Sequence, residues 1–226
     1  MWALTFRRYF TLLVARLRGR TVSHVLKSVW NSDKVRADSL AGACRFLVVD
    51  TETSSLNPSD GDLLSVGWVE IVAGEIQLET AQHFLIKNKN SVGQSATIHH
   101  LRDCELEEGL TKQEVMVKLL TAAQNAMLVF HHAPLDLAYL NNLCCSLCGA
   151  PLCLPVADTL AIEKKKLERR EMSLGNGALR LANCRSRYHL PDYPAHNALM
   201  DALATAELLL AQLAYMGKGV RVRDLV

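Results

Sequence analysis

The stretch Arg45-Phe-Leu-Val-Val-Asp-Thr-Glu-Thr-Ser-Ser-Leu56 constrains this chain more than any other. Phe46 to Val49 is a short apolar run rich in β-branched residues, the pattern of a strand buried on both faces. It ends in two acids, Asp50 and Glu52, one residue apart. Alternate side chains of a strand share a face, so both carboxylates point the same way. Like charges crowded at a buried strand end are costly unless a cation sits between them. Hard oxygen ligands at this spacing suit Mg²⁺ or Mn²⁺. An isolated Asp-x-Glu pair also describes an ordinary solvated strand end, so the other motifs must discriminate.

The chain has 226 residues, half of them hydrophobic and about a fifth charged, enough for one sizeable α/β domain with an appendage. A net charge of +2 does not by itself argue for a nucleic-acid partner. Seven scattered cysteines do not form a disulfide framework, and a reducing, cytoplasmic setting fits them better.

Residues 1–43 differ from the rest. Arg7, Arg8, Arg16, Arg18, Arg20 and Lys27 precede the first acid, Asp33. Trp2, Phe6, Tyr9, Phe10, Leu13 and Leu17 recur at helical spacing, which predicts a basic amphipathic helix. The arginines interrupt the apolar run well short of the roughly 20 residues a membrane span needs. Three roles fit: a helix packed on the domain, which apolar stripes usually are; a handle for a membrane surface or a protein partner such as a polymerase; or a targeting segment. Ser32 to Ala43 reads as a linker. Residues 44–216 then form the main domain, and 217–226 a short tail.

Asn57-Pro-Ser-Asp-Gly61 carries turn chemistry throughout. Leu63 to Val72 and Ile76 to Ile86 read as strands joined at Ala73-Gly74. A helix over Lys112 to Gln124 is announced by Thr111 and Glu114, the two ends of a capping box. Met127 to Phe130 is another buried strand. It runs into His131-His-Ala-Pro-Leu-Asp136 and a helix over Leu137 to Leu147, which places Asp136 near a helix N-terminus. Cys145-x-x-Cys148 lacks a second pair or nearby His, so buried thiols are the better reading than zinc. Asp158-Thr159 marks a strand end entering a helix. The basic run Lys164, Lys165, Lys166, Arg169 and Arg170 is a solvated face, or a phosphate contact if it lies beside the acids. Ser173 to Leu181 reads as a short helix and Asn183 to Tyr193 as a loop. From Ala198 the chain is strongly helical. His196 and Asp201 lie five apart, about 140° around one helix, so both reach one site only if His196 precedes the helix.

In order, Asp50-x-Glu52, His131-x-Ala-x-x-Asp136 and His196-x-x-x-x-Asp201 resemble the three motifs of the DEDDh 3′–5′ exonucleases. That group includes the epsilon proofreading subunit of bacterial DNA polymerase III. The likeness covers about Arg45 to Leu213, with Ala96-Thr-Ile-His99 and Asp158-Thr159 as further landmarks. It implies a ribonuclease H-like fold: a mixed five-stranded sheet, its first three strands antiparallel, flanked by helices. It implies that Asp50, Glu52, Asp136 and Asp201 hold two ions, Mg²⁺ or Mn²⁺, with His196 as general base. Thr53, Leu56, His99 and His132 are implied as substrate contacts. The implied reaction is two-metal hydrolysis releasing nucleoside monophosphates from the 3′ end of DNA, single-stranded or at a duplex terminus. The alternatives are the same chemistry on short RNA, and a non-catalytic nucleic-acid adaptor. The chain departs from the family pattern at Ser54 and Ser55, where Thr-Gly is usual, at His132, where Asn is usual, and at Leu135, where an aromatic is common. These positions border the substrate rather than the metals. The chain also lacks the long tail after Leu213 by which the replicative subunit is tethered, which weighs against a stable polymerase complex.

Overall fold

The computed structural model describes residues 2–87, 108–171, 175–193 and 197–226. His99 with its Ala96–His99 landmark, and His196, lie outside the described residues.

Strands β1 (Phe46–Thr53), β2 (Leu63–Val72), β3 (Glu75–Leu85), β4 (Met127–Phe130) and β5 (Val156–Asp158) form one sheet in the order β3-β2-β1-β4-β5. The first three are antiparallel, whereas β4 and β5 run parallel to β1. This is the mixed sheet expected. The β2–β3 turn falls on Ala73 and Gly74, both at positive φ, as a two-residue primed turn requires.

β1 is buried on both faces, and its alternation sorts the core. Leu47 and Val49 belong to one apolar cluster with Leu26, Val29, Leu119 and Leu140. Phe46 and Val48 belong to another, with Ile162, Ala206 and Leu209. The first cluster is covered by α2 (His24–Ser32), α3 (Lys112–Ala122) and α4 (Ala133–Cys148); the second by α5 (Thr159–Arg169) and α7 (Ala198–Met216). α7 is long and apolar enough to cross a membrane by length and composition, but Ala202, Ala206, Leu208 and Leu209 are buried in the protein.

Several details differ from the sequence reading. The basic N-terminal segment is two helices, α1 (Trp2–Leu17) and α2, separated at Gly19, whose φ of 65° is left-handed. Ser23 caps α2 by accepting the Leu26 N–H. The segment expected as a linker pairs with the tail: Ala41 N–H donates to Val220 O at 2.8 Å and Val222 N–H to Ser39 O at 3.0 Å. The short helix near residue 180 is α6 (Leu181–Ser186), with turns before it, so it begins where the expected helix ended. The turns hold because His131 reaches across to the Leu179 carbonyl.

Candidate active site

β1's alternation determines which acids meet. Asp50 and Glu52 have the parity of Phe46 and Val48 and face the side covered by α7. Asn197 caps α7, accepting the N–H groups of Leu199 and Met200, and this puts Asp201 in the first turn. A carboxylate there is favoured by the helix dipole. One carboxylate oxygen from each of Asp50, Glu52 and Asp201 lies within 4.8 Å of the others, the one such metal-competent group among the described residues.

Gly67 makes the approach close enough. It is the β2 partner of Asp50. A Cβ at this position would stand 2.3 Å from Leu199 N and 2.4 Å from the Ala198 carbonyl carbon, so only glycine lets the start of α7 rest on the strand. The sequence carried a signal here, a glycine inside a strand pattern, which marks a close backbone approach.

Asp136 arrives from the other face. Thr51 has the parity of Leu47 and Val49 and faces the side of α4, where its hydroxyl donates to Asp136 Oδ1 at 2.6 Å. Asp136 is therefore held beside the trio through β1 and is not one of the three converging carboxylates. Its helix is placed by Asp158, at the end of β5. Asp158 Oδ1 accepts the N–H groups of His132 and Leu160, and Oδ2 accepts that of Ala133. One carboxylate thus caps both α4 and α5.

Burial and mutual repulsion act on every acid here. Burial pushes Glu52 up to about 8, helped by the charges of Asp201 and Asp136. Asp50 is raised well above the usual carboxylate range by burial and by Asp136, Asp201 and Glu52. Burial lifts Asp136 to about 7 against the opposing Thr51 hydrogen bond. A divalent cation would neutralise this crowding, and an all-carboxylate donor set suits a hard one. The residues fit such an ion.

The surrounding loops are built to order. Thr53 donates to the Ser55 carbonyl at 2.9 Å, and the Tyr139 hydroxyl donates to the same carbonyl at 2.6 Å. Gly61 leaves room for that hydroxyl. Leu56 stands 83% exposed beyond this loop. His132 is exposed with φ 78°, at the start of α4, and lines an open concavity of about 490 Å³ with His131, Leu160, Gly177 and Arg180. His131 plays a structural part. Its Nδ1 meets the Thr159 hydroxyl at 2.8 Å and its Nε2 the Leu179 carbonyl at 2.9 Å, and burial lowers its pKa. In the neutral ring Nε2–H donates to Leu179 while Nδ1 accepts from Thr159.

The described residues flanking His196 are anchored. Tyr193 donates to Glu207 Oε1 at 2.8 Å, and the buried Arg185 bonds Glu207 Oε2 at 2.7 Å and the Pro191 carbonyl at 2.8 Å. Asn197 is fixed as the cap of α7. Tyr139, Gly67 and Arg185 were not singled out from sequence, whereas Asp158 was marked there as a strand end and landmark. The basic run lies toward the far end of α5, where Lys166 packs over Tyr188 and Tyr215 and pairs with Glu163. The six cysteines among the described residues are free, and their thiols form no metal-competent group.

Comparison with known proteins agrees with this construction. The family described as Exonuclease, of the RNase T type, matches residues 47–209. The DNA polymerase III PolC-type protein of Thermotoga maritima is 30% identical over 182 residues, covering 80% of this chain. A DNA polymerase III subunit epsilon-like protein of Rhodobacter capsulatus is 29% identical over 167 residues, covering 73%. This chain spans only 13% and 23% of the lengths of those two relatives. E. coli exonuclease I in complex with a dT13 oligonucleotide superposes with TM-score 0.63 at 13% identity, over 74% of this chain and 40% of that one. Cell-death related nuclease 4 gives TM-score 0.64 at 15% identity, over 78% and 65%. The fold is the same ribonuclease H-like sheet and helix arrangement.

Proposed function

Since the chain belongs to this exonuclease family, we propose that it is a metal-dependent 3′–5′ exonuclease that releases nucleoside monophosphates from DNA ends. The observation that carries the reading is the convergence of Asp50, Glu52 and Asp201 within 4.8 Å, with Asp136 held next to them by Thr51. Asp50, Glu52 and Asp201 would hold one divalent ion, Mg²⁺ or Mn²⁺, and Asp50 with Asp136 a second. When bound, such ions supply Lewis acidity that activates a water and steadies a leaving oxygen. The remaining work falls to the chain. His196 takes the proton of the attacking water. Thr53 at the end of β1, Leu56 in the loop held by Tyr139, and His132 with Arg180 in the neighbouring concavity would flank the terminal nucleotides. His99 is assigned to the same contact from its motif.

DNA is favoured over RNA because the related sequences are named as DNA polymerase III proteins and a matching structure holds a DNA oligonucleotide. Those names also make a polymerase the protein partner to test first. Free thiols support a reducing, cytoplasmic location.

The deciding experiment digests 5′-labelled DNA and RNA oligonucleotides side by side, with Mg²⁺ and with EDTA. A ladder shortened from the 3′ end of DNA, absent in EDTA, is expected. Full activity in EDTA sinks the metal assignment, and preference for RNA replaces the substrate. His196→Ala should lower turnover by about 10²–10⁴-fold and flatten its rise with pH.

A further inference from the structure

We propose that the outward face of α1 is a docking surface for an anionic lipid bilayer, which holds the enzyme at a membrane. The helix has two unlike sides. On one, Arg8 donates to the Cys153 carbonyl at 2.9 Å and to Asp33 at 2.6 Å, and Ala15 is buried. These contacts fasten α1 to the body. On the other side Phe6, Phe10, Leu13 and Leu17 fall within one stripe about 60° wide at 100° per residue, with Tyr9 at its edge. This stripe does not pack on the domain, as an apolar stripe usually would: Phe6 is 69%, Tyr9 68%, Phe10 56% and Leu17 78% exposed. Leaving a row of large apolar side chains in water is unfavourable, and a contiguous row marks an interaction site.

Charge selects the occupant. On the same helical projection Arg7 borders the stripe on one side and Arg16 on the other, both exposed, and the exposed Arg18 follows directly after the last turn. No acidic residue occurs before Asp33, and that acid is already engaged by Arg8. An apolar stripe with a purely cationic rim matches acyl chains beneath phosphate headgroups, with arginine stems lying along the boundary. A protein partner would need to be acidic on both sides of an apolar groove. The 16 residues of α1 lie flat rather than span, since the opposite face is occupied by the protein.

α1 lies along the side of the domain that carries α4, with Phe10 and Arg18 toward Cys145 and Arg7 toward Leu137, and α2 is anchored where Ser23 N–H donates to the Cys148 carbonyl at 2.9 Å.

The test is co-sedimentation of the full chain with vesicles of phosphatidylcholine alone and with about one-third phosphatidylglycerol. Wild type is expected to pellet with the mixed vesicles at low salt and far less with phosphatidylcholine. Phe6→Ser/Phe10→Ser/Leu17→Ser and Arg7→Gln/Arg16→Gln/Arg18→Gln should each weaken binding about tenfold or more. Both triple variants should keep wild-type turnover on oligonucleotides in solution, which shows them folded. Absence of vesicle binding overturns the proposal, as does equal binding to both lipids or binding unchanged by the serine substitutions. A wild-type dimer that the serine variant converts to monomer assigns the face to a second copy instead. Protein isolated from cells with its N-terminus beyond Leu17 assigns α1 to targeting.

Discussion

Glu52 and Glu163 are the same residue type, both buried, and their surroundings treat them in opposite ways. Glu52 is 6% exposed, and burial with the neighbouring Asp201 and Asp136 charges raises it to about 8. Glu163 has no exposed surface. Burial pushes it up too, but the Tyr188 hydroxyl, the Arg187 guanidinium, Lys166 and Gln212 outweigh that and hold it below the usual carboxylate range. Tyr188 donates to it at 2.7 Å and Arg187 at 2.9 Å. At one site the chain supplies the compensating positive groups; at the other it gathers further acids. The first arrangement is a fastening between α5, α6 and α7. The second is a crowd of acids, each raised by burial and by the others, that a divalent cation would neutralise.

The largest effect that could break this contrast is on turnover. Asp50→Ala and Asp201→Ala should each lower turnover by about 10³-fold or more. Because each also relieves repulsion, the metal-free protein should melt no lower than wild type. Glu163→Gln should do the reverse. Turnover per folded molecule stays near wild type, while stability falls by about 2 kcal/mol, a value reduced because Arg187 and Lys166 are partly solvated. If Glu163→Gln lost turnover as severely as Asp50→Ala, the two acids would not be doing different things. Next comes Gly67→Ala, which forces the first residues of α7 off β2. A displacement of about 1 Å at Asp201 should cost about 10²-fold in turnover. Mn²⁺ affinity should fall with it, and an unchanged affinity would show that the glycine serves packing only.

The sequence made the strands legible because β1, β2 and β4 are dense in β-branched and apolar residues. The Thr111–Glu114 capping box places α3, which ends at Ala122. The acids were legible because their spacing maps onto strand parity and helix starts. Other features were hidden for physical reasons. No proline interrupts residues 1–31, so α1 and α2 read as one helix until Gly19 and Ser23 are treated as a cap and a start. The exposure of the α1 stripe could not be read from periodicity, which finds a stripe but not what covers it. Glu163 directly precedes a basic run, so it looks like part of a solvated face until Arg187, 24 residues on, is seen folded against it. That Asp136 approaches through Thr51 required the parity of β1 together with the placement of α4.

Acid and alkali should also separate the two acids. Glu52 has a folded pKa of about 8, above its ordinary 4.5. Its contribution to metal-free stability is present below about 4.5 and lost as pH rises through 8. Glu163 has a lowered folded pKa, so its contribution is present above about 4.5 and lost as pH falls through the folded value. Melting temperatures in EDTA should therefore decline toward pH 8 by a few degrees. Glu52→Gln should flatten that alkaline decline, Mg²⁺ should abolish it, and Glu163→Gln should flatten only the acid limb. A single variant flattening both limbs would mean that the acids are coupled through the core.

The smallest effect is the sharpest comparison, because the same change is made twice. Thr51 and Tyr188 each give a hydroxyl hydrogen bond to a buried acid, at 2.6 Å to Asp136 and 2.7 Å to Glu163. Thr51→Val and Tyr188→Phe each remove that donor and little else. Either loss should cost about 1–2 kcal/mol where the acid stays charged. Around Glu163 the remaining Arg187, Lys166 and Gln212 partners keep it ionised, so the cost falls on stability and turnover holds. Asp136 is already raised to about 7, and without the Thr51 bond it rises further. The metal-free protein can then protonate Asp136 and lose little stability, but a divalent ion must displace that proton. Thr51→Val should thus weaken metal binding and lower turnover at neutral pH by about tenfold or less, with recovery as pH rises. Tyr188→Phe should leave both unchanged. Equal turnover for Thr51→Val and wild type across pH would remove Asp136 from the metal site.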